Sequence, residues 1–317
     1  MPGYLHERED FGELLQVIAT ERNIDPGLIE KDYWIMHVLY GMQKQGFDFE
    51  LKGGTSLSKG YHVIHRFSED IDIHIHPPKE LGINENPNNH NKNNIAKRQT
   101  FYDQLAKSIS IPGIIKVERD LAFDDAIAYR SGGIRLFYNN ATEPATVLKE
   151  GILLEVGFDM VNPNRPVTIS SWALDRASNT IGSKIIDNKA VDVLCYHPGY
   201  TLVEKLQTIA IKFRKEQESG IIEKNYMRQY YDVYCLLALP EVASFIGTED
   251  YFKHKANRFP KQDFAIPINQ NQAFLLEDKS LFQSLKSRYI KTQALYYEDQ
   301  VPFENVLERI KKFANKL

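Results

Sequence analysis

Residues 52–75 read KGGTSLSKGYHVIHRFSEDIDIHI, and the run Asp70-Ile71-Asp72-Ile73 inside it constrains the fold more than any other stretch. Side chains alternate across a strand with a period of two, so both aspartates fall on one face and Ile71 and Ile73 on the other. The pattern predicts a strand with one wet face and one face against a core. Neighbouring carboxylates repel, which raises the pKa of one of them unless a cation neutralises the pair. Upstream, Gly53 and Gly54 permit a sharp turn and let a ligand reach backbone N–H groups with no Cβ in the way. Thr55 to about His65 carries a helical pattern, which puts those N–H groups at a helix start, where an anion is favoured. Thr55 and Ser56 add hydroxyl donors there. Either half alone is a common feature, a capped turn or two surface acids. Together, at this separation, they suggest a phosphate cradle facing a metal site.

Magnesium suits such a site, because a hard ion binds carboxylates together with substrate phosphates. A two-metal centre wants a third carboxylate. ILLEVGFDM supplies Glu155, which alternates against Leu154 and Val156, with Asp159 as the fallback on the same side. His74 and His76 share the face of the aspartates. Four and six residues along a strand place them roughly 13 and 20 Å from Asp70, too far to share an ion with it. They are expected to face solvent or to pair with a loop.

Around this block the chain reads as α/β or α+β, with a mixed sheet flanked by helices in residues 1–196 and a helical domain in 197–317. Phe11, Leu14, Leu15, Ile18 and Ala19 predict a helix over 9–21. Asp25 as cap and Pro26 at the first position predict a second, with a core stripe of Ile29, Tyr33, Met36 and Tyr40 and a stop near Gly46. A short strand is expected at FDFELKGG, a long mobile loop at 77–98, and a helix from Ile95 to Ser110. Strands follow at GIIKVERD, IRLFYN, ILLEVGFDM, PVTISSW and VDVLCY. A Pro-Gly pair in HPGY, 197–200, marks the boundary. Helices are expected beyond it near 201–216, 223–238, 280–292 and 302–315.

Composition narrows the class. The 317 residues are 43% hydrophobic and 26% charged, with a formal net charge of −3 that argues against a histone-like affinity for polyanions. No apolar run is long enough to span a bilayer, and the opening MPGYLHEREDFGELL lacks a signal-peptide core. Cys195 and Cys235 fit no zinc or redox spacing and read as reduced core residues, so a cytoplasmic location is expected.

Five stretches in order, EKDYW at 30–34, KGGTSLSKGY at 52–61, RFSEDIDI at 66–73, TLVEKL at 201–206 and RQYYDVY at 228–234, resemble the AbiEii/AbiGii nucleotidyltransferase toxins. These belong to the DNA polymerase β-like nucleotidyltransferase superfamily. The resemblance implies transfer of a nucleoside monophosphate from an NTP with two magnesium ions held by Asp70, Asp72 and Glu155. It also implies a bacterial toxin–antitoxin or phage-defence setting with an antitoxin partner; several relatives act on the 3′ end of tRNA, which is the expected acceptor, with a protein side chain or a small hydroxylated molecule as the alternatives that also suit the site. Gly54 stands further from the first aspartate than the superfamily pattern usually sets, which favours Ser56 as the phosphate-binding hydroxyl. The resemblance assigns Lys205 to the triphosphate and Asp232 to the active site.

Lys205 also stands out without the resemblance. Thr201–Glu204 reads as a capping box, which would put a lysine in a first helical turn, where the macrodipole disfavours a cation. Arg228 and Asp232, four apart, could pair. Lys31 and Asp32 read as an exposed charged face. Lys286, Arg288, Lys291, Arg309, Lys311 and Lys312 read as a solvated helix face that could instead follow an RNA backbone. Among rival classes, a haloacid-dehalogenase phosphatase needs its first aspartate after a hydrophobic strand, where this chain has RFSE. A manganese Asp-x-Asp glycosyltransferase gives no reason for the glycine turn, and a nucleotide-binding regulator or partner-binding module does not need three intact acids.

Overall fold

The computed structural model describes residues 2–143, 148–181, 184–223 and 226–317. The chain forms two compact units, residues 1–62 with 67–196, and residues 63–66 with 197–317.

The first unit runs α1 (Phe11–Arg22), α2 (Pro26–Lys44), β1 (Phe49–Lys52), a single turn α3 (Gly53–Thr55), β2 (Asp70–Ile75), α4 (Lys92–Ser108), β3 (Ile114–Asp120), β4 (Ser131–Tyr138), β5 (Ile152–Gly157), β6 (Asn164–Ile169), α5 (Trp172–Ile181) and β7 (Ala190–Tyr196). Its seven strands make one mixed sheet in the order β3-β4-β5-β2-β1-β7-β6. The central β2 runs antiparallel to β1 and parallel to β5. Ile71 and Ile73 are fully buried with Leu51, Leu154 and Val156, and each such side chain contributes about 1.5–3 kcal/mol of burial. Asp25 caps α2 by accepting from the Gly27 N–H at 2.8 Å, and Gly46 leaves the helix region at a φ of 78°. Ile29, Tyr33 and Met36 are fully buried, whereas Tyr40 is half-buried. Because α2 lies among α1, α5 and the sheet, it is buried nearly all round rather than along one stripe.

Three local expectations need correction. The helix expected over Thr55–His65 stops early. After α3 the chain makes one π-helical turn, Ser56–Gly60, and then extends through a left-handed His62. Tertiary anchors override the local pattern here: the Tyr61 hydroxyl donates to the Cys195 carbonyl at 2.7 Å, and Gly60 sits where a Cβ would lie 3.0 Å from Cys195 Sγ. The loop expected over 77–98 is shorter, since α4 starts at Lys92 under an Asn91 cap. Nor is it bare. The N–H groups of Asn86, Asn88, Asn91 and Asn93 each donate to the side chain of the asparagine two residues earlier, at 2.9 Å. Fully buried Arg98 then ties the loop down through the carbonyls of Asn84, Asn86 and Ala128 at 2.8, 2.6 and 3.2 Å. Third, α5 was not expected: it begins at Trp172, the last residue of the expected PVTISSW strand, and runs to Ile181.

The second unit is helical: α6 (Pro198–Ser219), α7 (Met227–Leu236), α8 (Pro240–Phe245), α9 (Glu249–Arg258), α10 (Lys261–Phe264), α11 (Gln272–Leu275), α12 (Lys279–Ile290) and α13 (Phe303–Phe313). Helices α8 to α11 went unanticipated: α8, α10 and α11 are only six, four and four residues long, and α9, EDYFKHKANR, has few apolar residues to mark a stripe. The helix expected over 223–238 includes residues 224 and 225, which lie outside the described residues. Three of the basic residues considered for RNA are occupied within the unit. Arg288 reaches Glu216 at 2.5 Å, Lys286 pairs with Glu304, and Arg309 donates to the Tyr234 carbonyl at 3.0 Å.

Candidate active site

Strand register assembles the acidic face. In the parallel pairing of β2 and β5, Asp72 lies directly opposite Glu155, and opposed residues of a pair project from the same face. Asp70 follows two positions away on that face, so the three acids named from the sequence converge. Burial first, then the charges of Asp72 and Asp70, push the Glu155 carboxyl up to about 8 from an ordinary 4.5. Such a cluster is the donor set a divalent cation would satisfy.

Gly53 explains why the turn must be glycine. Its φ is +73°, and a Cβ there would lie 2.1 Å from Asp72 Oδ2. The backbone therefore passes directly beside the metal-ligating candidate. Gly54 is buried next to it. Thr55 and Ser56, expected as phosphate donors, are placed differently. Both are fully buried; the Thr55 hydroxyl donates to the Asp70 carbonyl and the Ser56 hydroxyl donates back to the Gly53 carbonyl at 2.9 Å. A hydroxyl has one proton to give, so neither is an open donor: Thr55 holds the turn against β2 and Ser56 closes the turn on itself.

A cavity of about 290 Å³ opens on this face, lined by Lys52, Asp72, Asp125, Arg130, Glu155 and Asp159 among others. Lys52 stands opposite Asp72 in the β1 pairing and reaches Asp159 at 3.1 Å. Lys149 Nζ lies 3.6 Å from Asp70. Sequence reasoning missed Lys52, Lys149, Asp125 and Arg130. They come from strand ends and turns that long-range strand pairing draws together, Lys52 opposite Asp72 between β1 and β2 and Ser131 opposite Gly157 between β4 and β5.

The EKDYW stretch was read as an exposed charged face, and the structure overturns that. Lys31 and Asp32 are 2% and 3% exposed. Lys31 donates to the Lys149 carbonyl at 2.6 Å and to Glu69 at 3.3 Å, while Glu69 also accepts from the Lys149 N–H at 3.0 Å. The backbone of Lys149, beside Asp70, is thereby fixed. Asp32 pairs with Lys59 of the π-helical turn and accepts from the Trp172 N–H at 2.9 Å. The reason is tertiary: α2 packs against α1, α5 and the sheet, so a charge on any side of it is buried and must be paired.

Lys205 and Asp232 belong to the second unit. Helix α6 begins at Pro198, with His197 Nδ1 accepting from the Gly199 N–H at 3.0 Å, so Lys205 lies past the first turn and the macrodipole argument for it fails. It sits instead 3.1 Å from Asp232. Asp232 is fully buried and also takes Arg66 in a bidentate pair, both contacts at 2.6 Å. Burial opposes its ionisation, but Arg66 and Lys205 outweigh that and hold the carboxyl below its usual range. Arg66 was not singled out in the sequence, because its partner is 166 residues away.

Residues 38–309 match the family described as "Nucleotidyl transferase AbiEii toxin, Type IV TA system". The chain belongs to the AbiEii nucleotidyl transferase toxin family. It is a nucleotidyltransferase, and membership implies a nucleotide substrate and an antitoxin partner. A solved structure described as an antigenic nucleotidyltransferase-like protein from Paracoccidioides brasiliensis is similar at 14% identity, covering 81% of this chain and 93% of that one, with a TM-score of 0.38. No curated protein matches the chain. Among the described residues, no helix is long and apolar enough to cross a membrane.

Proposed function

We propose that this AbiEii-family chain transfers a nucleoside monophosphate from an NTP to an acceptor hydroxyl with magnesium, releasing pyrophosphate, and that the acceptor is the 3′ end of a tRNA. The observation that supports the metal-dependent reading is the convergence of Asp70, Asp72 and Glu155, with Glu155 driven up to about 8 by burial and its acidic neighbours. Three carboxylates packed this closely suit a divalent ion better than protons at neutral pH. Asp70, Asp72 and Glu155 would hold two magnesium ions, which supply charge stabilisation at the phosphates and lower the pKa of the attacking hydroxyl.

The protein's own residues orient the reaction. Gly53, lacking a Cβ, leaves the Asp72 carboxylate accessible next to the backbone. Lys149 and Lys52 set positive charge beside the acids, suited to phosphate oxygens. Lys31 and Glu69 hold the Lys149 backbone in place. Lys205 keeps the triphosphate role that the sequence resemblance gives it. A tRNA acceptor and toxicity relieved by an antitoxin rest on the same resemblance.

Incubating the purified protein with each of four α-labelled NTPs, total RNA and a protein lysate tests the reading. Label should enter the tRNA fraction with magnesium, vanish with chelator, and vanish with Asp72→Ala while circular dichroism is unchanged. Label in protein or small molecules instead would reject the tRNA acceptor. Retained transfer by Asp72→Ala would reject the metal assignment.

A further inference from the structure

The acidic face of β2 continues past Asp72 into a second cluster of different chemistry. Glu50 on β1 is directly opposite His74 on β2, and His76 follows on the same side. These three residues each offer a ligand atom within 4.8 Å of the others. A fourth group, Glu85 of the asparagine-rich loop, reaches down with Oε2 3.0 Å from His74 Nε2 and 3.3 Å from His76 Nδ1. His76 Nε2 lies 3.1 Å from both carboxylate oxygens of Glu50. We propose that Glu50, His74 and His76 form a transition-metal site, suited to zinc, separate from the magnesium carboxylates, with Glu85 as the ligand supplied by the loop.

Three observations support the assignment. The first is tautomeric. His74 Nδ1 lies 2.7 Å from the Asp159 carbonyl, and a carbonyl only accepts, so that nitrogen carries a proton and Nε2 is turned toward Glu85. A ring held by a backbone carbonyl at one nitrogen, with the other presented to the site, is the orienting arrangement metal-binding histidines use. The second is electrostatic. His74 and Glu50 are 5% and 8% exposed, and the two imidazole rings lie 4.4 Å apart. Two carboxylates and two imidazoles thus meet in a largely buried place, a donor set that one divalent ion satisfies.

The third is geometric. Ligand bonds of about 2.0–2.1 Å in a tetrahedron put neighbouring donors about 3.3 Å apart. An ion takes one nitrogen of His76; with Nε2 as that ligand, the 3.1 Å contact to Glu50 and the 3.0 Å contact between Glu85 and His74 Nε2 match that spacing, and Nδ1 keeps its proton toward Glu85 at 3.3 Å. Imidazole nitrogen with carboxylate oxygen selects zinc and its neighbours over magnesium. Distance along the strand excludes zinc shared with Asp70. The present set begins at His74, four residues beyond Asp70, and draws on β1 and the loop.

The consequence is a fastening of the 77–91 loop onto the sheet. The loop is already laced by its own asparagines and Arg98, and an ion at Glu85 would pin its centre two residues from Asp72.

The competing arrangement is a plain cluster of imidazolium–carboxylate pairs, and the same experiment separates the two. Metal-stripped full-length protein is titrated with zinc chloride by calorimetry in millimolar magnesium, with cobalt binding followed by its visible absorption. One zinc per chain is expected, with a tetrahedral cobalt spectrum. Affinity should fall at least about 100-fold in His76→Gln and His74→Ala, and fall less in Glu85→Gln. His76 and Glu85 are each 37% exposed at the side chain, so their variants should fold, with circular dichroism as the check. Asp72→Asn should leave the zinc stoichiometry unchanged. Zinc lost in Asp72→Asn but retained in His76→Gln would overturn the proposal, as would no zinc bound at micromolar concentrations. Neither result depends on nucleotidyl transfer.

Discussion

Replacing Glu155 by glutamine removes a charge that the fold holds at a cost. The carboxyl titrates near 4.5 in an unfolded chain and is pushed up to about 8 in the folded one, by burial and by Asp72 and Asp70. Between those pH values the folded state keeps a proton that the unfolded state has released. Stability is therefore complete below pH 4.5 and falls as pH rises toward 8. At about 1.4 kcal/mol per pH unit, the loss is on the order of 5 kcal/mol in the absence of metal. Glutamine keeps the shape and has no proton to lose. The stability difference, variant minus wild type, should thus grow from near zero at pH 4.5 to several kcal/mol at pH 8.5 in chelator. Guanidinium unfolding followed by tryptophan fluorescence reads it, since both tryptophans, Trp34 and Trp172, lie in the first unit. Magnesium should then stabilise the wild type at pH 8 and leave the variant nearly unchanged. Parallel pH curves for the two proteins in chelator would refute the reasoning, because Glu155 would then not be held protonated by its surroundings.

Two further substitutions probe other joints of the molecule. Gly53→Ala forces a left-handed alanine and drives its Cβ onto Asp72 Oδ2; the backbone strain alone costs about 1–2 kcal/mol. Nucleotidyl transfer should fall more than stability does, and a variant with wild-type activity would contradict the placement of Asp72. Asp232→Ala leaves fully buried Arg66 without its bidentate partner, which should cost about 3–5 kcal/mol. Urea denaturation of the second unit measures it. The triple variant Arg66→Met/Asp232→Leu/Lys205→Met, which removes both cations that Asp232 pairs with, should recover much of the loss, and failure to do so would mean the cluster matters through something other than uncompensated charge.

Much of the first unit was legible locally. The alternation in Asp70–Ile73 placed the aspartates on one face, and Asp25 and Pro26 marked the start of α2 from two adjacent residues. Local signals failed where a long-range contact won. The helical pattern after Thr55 yields to the anchoring of Tyr61 on Cys195, and the hydroxyls of Thr55 and Ser56 turn inward because Asp70 and Gly53 offer carbonyls that nothing in the sequence locates. Lys31 and Asp32 looked like solvated charges until α2 proved to be enclosed on all sides.

By itself, then, the sequence determined which residues could do chemistry on this chain: a strand with two acids on one face, a glycine turn before it, and a third acid on another strand. Those are properties of periodicity and of backbone freedom, which act over a few residues. Tertiary structure alone decided that Glu155 stands opposite Asp72, that Lys31 steadies Lys149, and that Glu50 and Glu85 meet two histidines. Strand register and loop path are set by packing between segments far apart in the chain, and no local pattern encodes them.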